Sequence, residues 1–345
     1  MLHRYVTSLI VLSLVIASTL MLGCESELRR QVADLERTRD SEGVVNLLER
    51  TVARDPGHAE AQFLLGEYRF EAGDFAEGQE AFDASLQQTR RFEEQITFTR
   101  EKFFRERYDT GVQAMSSERP ARATGALEDA RIIKPEDFAV HRTLGHAYMQ
   151  ADAFEEAEQA YNAALQREPE DLETLANLGE LQYRRGAYAS ALTHTEAGLA
   201  AVDDDAHPLR ADFLRRQANS HLQLGQEEQA EAALRALVQL EGGAENRLDY
   251  ARTLFNQRKY DAALTELRRV GADDAEYLRM VAEARYHTND YDGMIETYEQ
   301  LLVTQPNDEE ALRNLIIGYE MVGDEQQAAS FRERLQAQSR GGSDE

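Results

Sequence analysis

The chain has 345 residues, with 38 Lys and Arg against 64 Asp and Glu, and a net charge of −26. That field repels phosphate backbones and anionic headgroups, so nucleic acid is not expected as a partner. A single cysteine, Cys24, excludes an internal disulfide.

His3 and Arg4 precede an apolar run from Val6 to Leu22, which stops at Gly23-Cys24. A charged start, a greasy middle and a small residue before the cut form the layout of a secretory signal. The ending Met21-Leu22-Gly23-Cys24 resembles a bacterial lipoprotein signal. The resemblance implies that residues 1–23 are removed and that Cys24 becomes the lipidated first residue. With Glu25 rather than Asp after the cysteine, it also implies sorting to the outer membrane, on its periplasmic face. The alternative is an uncleaved single anchor, for which about 17 apolar residues is marginally long. Either way the body is expected outside the cytoplasm. Each buried acyl CH₂ contributes ~0.8 kcal/mol, so two or three chains would anchor stably where one would not.

From residue 24 to 58 a degenerate helical hairpin is expected, with Leu28, Val32 and Leu35 on one helix and Val44, Leu48 and Val52 on the next. Residues 59–338 then carry a regular array. Ala59 to Phe92 has Leu65-Gly66, Phe75, Gly78 and Phe82, and Gly73 sits where a left-handed residue ends the first helix without a Cβ penalty. Residues 93–103 are an insert, read as a helix continuous with the following one. Its Ile96, Phe98 and Phe103 either pack on the preceding unit or form an aromatic contact surface. Phe104 to Asp137 has Gly111, Ala123, Leu127 and Pro135, with Pro120 suited to the first position of its second helix. Phe138 to Asp171 and Leu172 to Asp205 follow. A polar insert near residues 206–210 comes after the acidic triplet Asp203-Asp204-Asp205, which lacks the spacing of a calcium loop. Ala211 to Gly243, Ala244 to Asp274 with a clipped second helix, Ala275 to Asp308, and Glu309 to Gln338 complete the array. Residues 339–345 are expected to be a disordered tail.

Within Phe138–Asp171 the apolar and small residues Leu144, Gly145, Tyr148, Phe154, Ala157, Tyr161, Ala164 and Leu165 keep a 3.6-residue rhythm, broken once near Asp152, and Pro169 closes the unit. The template recurs every 34 residues, with Gly111, Gly145 and Gly179 in one register and Ala123, Ala157 and Ala191 in another. This pattern resembles the tetratricopeptide repeat family. The resemblance implies an all-α fold, a right-handed α-solenoid of about nine helical hairpins, with the first helix of each hairpin lining a groove.

Catalytic motifs such as H-E-x-x-H, G-x-S-x-G, a Walker loop or paired C-x-x-C do not occur, the histidines are scattered, and His141 and His146 are five apart rather than four. A non-enzymatic chain without cofactor or metal is expected. The groove positions implied by the resemblance hold Arg142, His146, Asn177, Tyr183, Arg215, Arg216, Asn219, Arg252, Phe255, Arg279, Tyr286 and Arg313. Five of these, Arg142, Arg215, Arg252, Arg279 and Arg313, suit an acidic or C-terminal segment of a protein or peptide partner. The other reading is that they neutralise carboxylates such as Glu180, Glu283 and Glu320. Arg142, His146, Asn177 and Arg216 fall where the carboxylate-clamp class of the family places Lys, Asn, Asn and Arg, while Asp212 stands where that class has a cation. The function expected is a membrane-anchored protein-binding scaffold assisting assembly of a cell-envelope complex. A pilotin-like helper of a pilus or secretion pore, or an accessory regulator of a cell-wall or proteolytic enzyme, are the alternatives.

Overall fold

The computed structural model describes residues 26–204 and 207–341, with side chains as far as Gln338. Cys24 and the expected signal lie outside the described residues. The chain divides after Ala151 into two compact units.

The first unit contains α1 (Glu27–Arg37), α2 (Ser41–Arg54), α3 (Ala59–Ala72), α4 (Phe75–Gln88), α5 (Glu93–Ser116), α6 (Pro120–Ile133) and α7 (Phe138–Gln150). The second contains α8 (Phe154–Leu165), α9 (Leu172–Arg184), α10 (Tyr188–Ala201), α11 (Pro208–Gln223), α12 (Glu227–Leu240), α13 (Ala244–Asn256), α14 (Tyr260–Val270), α15 (Ala275–His287), α16 (Tyr291–Thr304), α17 (Glu309–Val322) and α18 (Glu325–Gly341). Among the described residues the structure is all helix. Taken in order the helices fall into nine consecutive pairs, the repeats of an all-α solenoid, with the unit boundary between the two helices of the fourth pair.

Local chemistry sets where each helix starts and stops. Pro120 and Pro208 occupy first-turn positions, where no N–H is needed. Asp137, Asp171, Asp274 and Asp308 cap α7, α9, α15 and α17, each accepting a backbone N–H three residues on at 2.7–3.0 Å. Every turn inside a hairpin contains one residue with positive φ. Four are glycines, Gly73, Gly186, Gly225 and Gly323, and five are not: Arg39, Glu118, Asp152, Arg258 and Asn289. The following amide reaches back to the helix, as when Ala187 N–H donates to the Gln182 carbonyl at 2.9 Å and Lys259 N–H to that of Leu254 at 2.9 Å. This closes the helix end and reverses the chain.

Small residues then let the paired helices touch. A Cβ built on Gly66 would stand 2.4 Å from the Phe82 ring, and one on Gly78 would stand 2.4 Å from the Phe70 ring, so α3 and α4 each offer a glycine to the other's phenylalanine. Phe70 and Phe82 are fully buried in consequence. Burying a ring of this size contributes roughly 1.5–3 kcal/mol. In the second unit a Cβ on Gly198 would meet the fully buried Phe213 ring at 2.3 Å, which locks α10 onto α11.

The insert at residues 93–103 is the start of the 24-residue α5, continuous with its neighbour. It packs back on the preceding hairpin: Phe92 stacks on Phe63 at 4.5 Å, Phe103 meets Phe70 at 5.6 Å, and Ile96 is fully buried. Only Phe98 of its aromatics points outward, 70% exposed, so the insert is a packing element rather than an aromatic contact surface.

Two boundaries differ from expectation. The polar insert near 206–210 is shorter, because α11 begins at Pro208; an N-terminal proline with His207 capping the Leu209 N–H at 3.2 Å draws those residues into the helix. The expected tail from 339 starts in helix, since α18 continues to Gly341; residues 342–345 lie outside the described residues.

A candidate polypeptide-binding surface

The first helices of the hairpins carry the predicted site residues. In the second unit, four of these helices carry a large apolar residue three positions before the positive-φ residue of the turn: Tyr183 on α9, Leu222 on α11, Phe255 on α13 and Tyr286 on α15. On α17 that position is Glu320. Because the hairpins repeat, equivalent positions run along one side of the stack. Leu222 is 39% exposed and Tyr286 40%, while Tyr183 and Phe255 are partly buried.

Ring contacts hold the row in place. Tyr183 meets Tyr188, Phe255 meets Tyr260, and Tyr286 meets Tyr291, all edge-on at 5.3–6.1 Å and all five residues apart across the hairpin turn. Tyr260 also lies flat on His287 at 4.2 Å, and His287 meets Tyr286 at 5.4 Å. The aromatic surface of the seventh hairpin therefore continues into that of the eighth. The sequence named Tyr183, Phe255 and Tyr286 but missed Leu222, Tyr188, Tyr260, His287 and Tyr291. The aromatic-x₄-aromatic spacing across each turn is the signal that would have found most of them.

The arginines are not free. Arg215 pairs with Asp212 at 2.9 Å and with Glu241 at 3.5 Å, and Arg252 with Glu276 at 2.6 Å and Asp249 at 3.4 Å. Arg279 pairs with Asp308 and, at 3.5 Å, with Glu310, and Arg313 pairs with Glu309 at 2.8 Å. Arg216 is bound to Glu180 at 2.7 Å and to the Ala176 carbonyl at 2.8 Å. In the first unit the Arg142 guanidinium lies over the Phe138 ring at 5.2 Å. Here the expectation of an arginine ladder open to an acidic partner is corrected. Each guanidinium in this row arrives already solvated by carboxylates of its own stack, the cheapest counterions for a chain this acidic. The acids expected to neutralise the five arginines pair elsewhere: Glu180 pairs with Arg216, Glu283 faces His287 at 4.0 Å, and Glu320 pairs with Arg332.

The four arginines Arg215, Arg252, Arg279 and Arg313 share seven carboxylates, so this face keeps an excess of negative charge. At Asp249, burial pushes the carboxyl above its usual range despite Arg252. At Asp308, burial pushes the same way, but the Ala311 N–H and Arg279 outweigh it and hold the carboxyl low.

Of the carboxylate-clamp subset, Arg142 and His146 belong to the first unit and Asn177 and Arg216 to the second, where Arg216 pairs with Glu180. His146 is exposed on α7, whereas Asn177 and Asn219 are partly buried on α9 and α11. Among the described residues, no group of three or more His, Cys, Asp or Glu is placed to hold a metal, and no helix is long and apolar enough to cross a membrane.

No curated protein matches the sequence. Among solved structures, the chain is similar to the pilF protein of Pseudomonas aeruginosa, at 19% identity over 62% of this chain and 97% of that one, with a TM-score of 0.46. It is similar to YrrB, described as a tetratricopeptide protein with an unusual peptide-binding site, at 19% identity over 55% and 98% with a TM-score of 0.47. PilW, described as a type IV pilus biogenesis factor, matches at 21% identity over 61% and 98% with a TM-score of 0.43. Family profiles described as tetratricopeptide repeat match residues 34–91, 142–206 and 248–311, and residues 114–165. With these matches spanning more than half of its length, the chain belongs to the tetratricopeptide repeat family and is a protein-interaction scaffold of that kind.

Proposed function

We propose that this chain is a non-enzymatic scaffold which holds a partner polypeptide along the first helices of its second unit while a cell-envelope complex is assembled. The observation that carries the reading is the row of exposed or partly buried apolar residues, one per hairpin over four successive hairpins, at Tyr183, Leu222, Phe255 and Tyr286. A soluble surface rarely repeats an exposed large apolar residue at one structural position unless something covers it. The scaffold is tethered to the periplasmic face of the outer membrane by acyl chains on Cys24, a reading supported by the apolar run and the Gly23-Cys24 junction.

Photo-crosslinking in cells tests the first part. A crosslinker at Leu222 or Tyr286 is expected to capture one discrete polypeptide, and one at Phe98 of the first unit is not. Equal labelling at all three positions, or none, overturns it. For the tether, Cys24→Ser should move the protein from the outer-membrane fraction to the soluble periplasm, and unchanged fractionation overturns that part.

A further inference from the structure

Resting on the reading just given, we infer that the apolar row takes an extended, positively charged segment with a bulky apolar side chain at about every third residue. Charge comes first. Four arginines shared among seven carboxylates leave the flank of the row negative, in a chain of net charge −26. An acidic segment would have to displace carboxylates from Arg215, Arg252 and Arg279 and then lie among them. A basic segment meets those carboxylates directly, and its cations can sit on the faces of Tyr183, Phe255 and Tyr286.

Spacing comes second. Packed helices lie about 10 Å apart, so one apolar position per hairpin gives stations separated by about that distance. An extended chain advances about 3.3 Å per residue, so about three residues span one interval.

The test is fluorescence anisotropy of the full chain in detergent with a labelled peptide of about 13 residues, carrying Leu at every third position and Lys and Ser between. Three comparators are used: Leu at every second position, Glu in place of Lys, and a heptad-patterned helical peptide of equal charge. The first peptide is expected to bind at least about tenfold more tightly than each comparator. Leu222→Ser combined with Tyr286→Ser should weaken it by about tenfold or more, with Phe98→Ser unchanged. Equal or tighter binding of the Glu peptide or the helical peptide overturns the inference. So does sedimentation showing a dimer that the Leu222→Ser, Tyr286→Ser pair converts to monomer, which assigns the row to a second copy of the chain. If crosslinking at Tyr286 captures a partner while none of these peptides binds, the scaffold reading stands and this inference falls.

Discussion

The Arg279 guanidinium on α15 is paired with the Asp308 carboxylate, and that same carboxylate accepts the Ala311 N–H at 2.7 Å to cap α17. A side chain of the eighth hairpin is thereby fastened to the cap of the ninth. Arg29 to Glu60 at 2.6 Å and Arg216 to Glu180 at 2.7 Å join successive first helices elsewhere. In a stack whose hairpins contact only their neighbours, such pins act on each interface separately.

Replacing Asp308 separates its two roles. Asp308→Asn keeps a good capping oxygen and loses the charge pair, whereas Asp308→Ala loses both. The alanine variant should be less stable than the asparagine variant by about 1 kcal/mol, read as faster amide exchange in α17. Because the Asp308 carboxyl is held below its usual range, its contribution is present above the unfolded-state pKa and disappears as pH falls through the lower folded value. Protection of the α17 amides relative to their intrinsic exchange rates should therefore fall on acidification in the native chain and be less pH-sensitive in Asp308→Asn. Equal acid sensitivity in the two would overturn the assignment.

Glu67 on α3 shows the opposite sign. Burial, with the nearby charges of Glu71 and Glu36 adding to it, pushes its carboxyl up to about 7, against the pull of Arg29 and Lys102. The folded state holds this proton through a range where the unfolded chain has released it. Stability of the first unit should thus fall as pH rises from about 4.5 to 7, by on the order of 2 kcal/mol. Glu67→Gln should remove that decline and be the more stable form at pH 8. Parallel pH profiles of native and variant denaturation midpoints would refute it.

The contact between Gly66 and Phe82 gives a packing prediction. With a Cβ at 2.4 Å from the ring, Gly66→Ala must displace Phe82, at a cost of about 1–3 kcal/mol. Adding Phe82→Leu should recover part of that loss, because the smaller side chain vacates the space. The comparison is a double-mutant cycle in urea, and strict additivity of the two substitutions would contradict the contact.

Most of the architecture was legible because it is written in backbone chemistry: proline closing units at Pro56, Pro135, Pro169 and Pro306, aspartate capping first helices at Asp137, Asp171, Asp274 and Asp308, glycine or alanine where helices cross. Gly66, Gly111 and Gly198 each face a side chain that leaves no room for a methyl group. The site was half legible. Register placed Arg215, Arg252, Arg279 and Tyr286 on the correct helices, but register cannot say where a guanidinium ends. Glu276 lies 24 residues from Arg252 and Asp308 lies 29 from Arg279, so those pairs exist only once hairpins stack. Leu222 went unnoticed because a lone apolar residue among charges gains meaning only when its equivalents line up.

The turns give the last prediction. Glu118 and Arg258 hold positive φ, at 53° and 60°, the region that Gly73, Gly186, Gly225 and Gly323 occupy in equivalent turns. An L-residue there costs about 1–2 kcal/mol, set against the roughly 0.5–1 kcal/mol by which glycine's freedom favours the unfolded chain. Glu118→Gly and Arg258→Gly should each stabilise the protein by a few tenths to about 1 kcal/mol, the difference of those two terms. The converse control is Gly186→Ala. A Cβ there meets nothing within 4 Å, so any loss is purely conformational. It should destabilise by about 1 kcal/mol. Urea midpoints of the three variants decide it: the two glycine variants must move up and the alanine variant down, and movement of all three in one direction would show that the turn dihedrals are not what limits these hairpins.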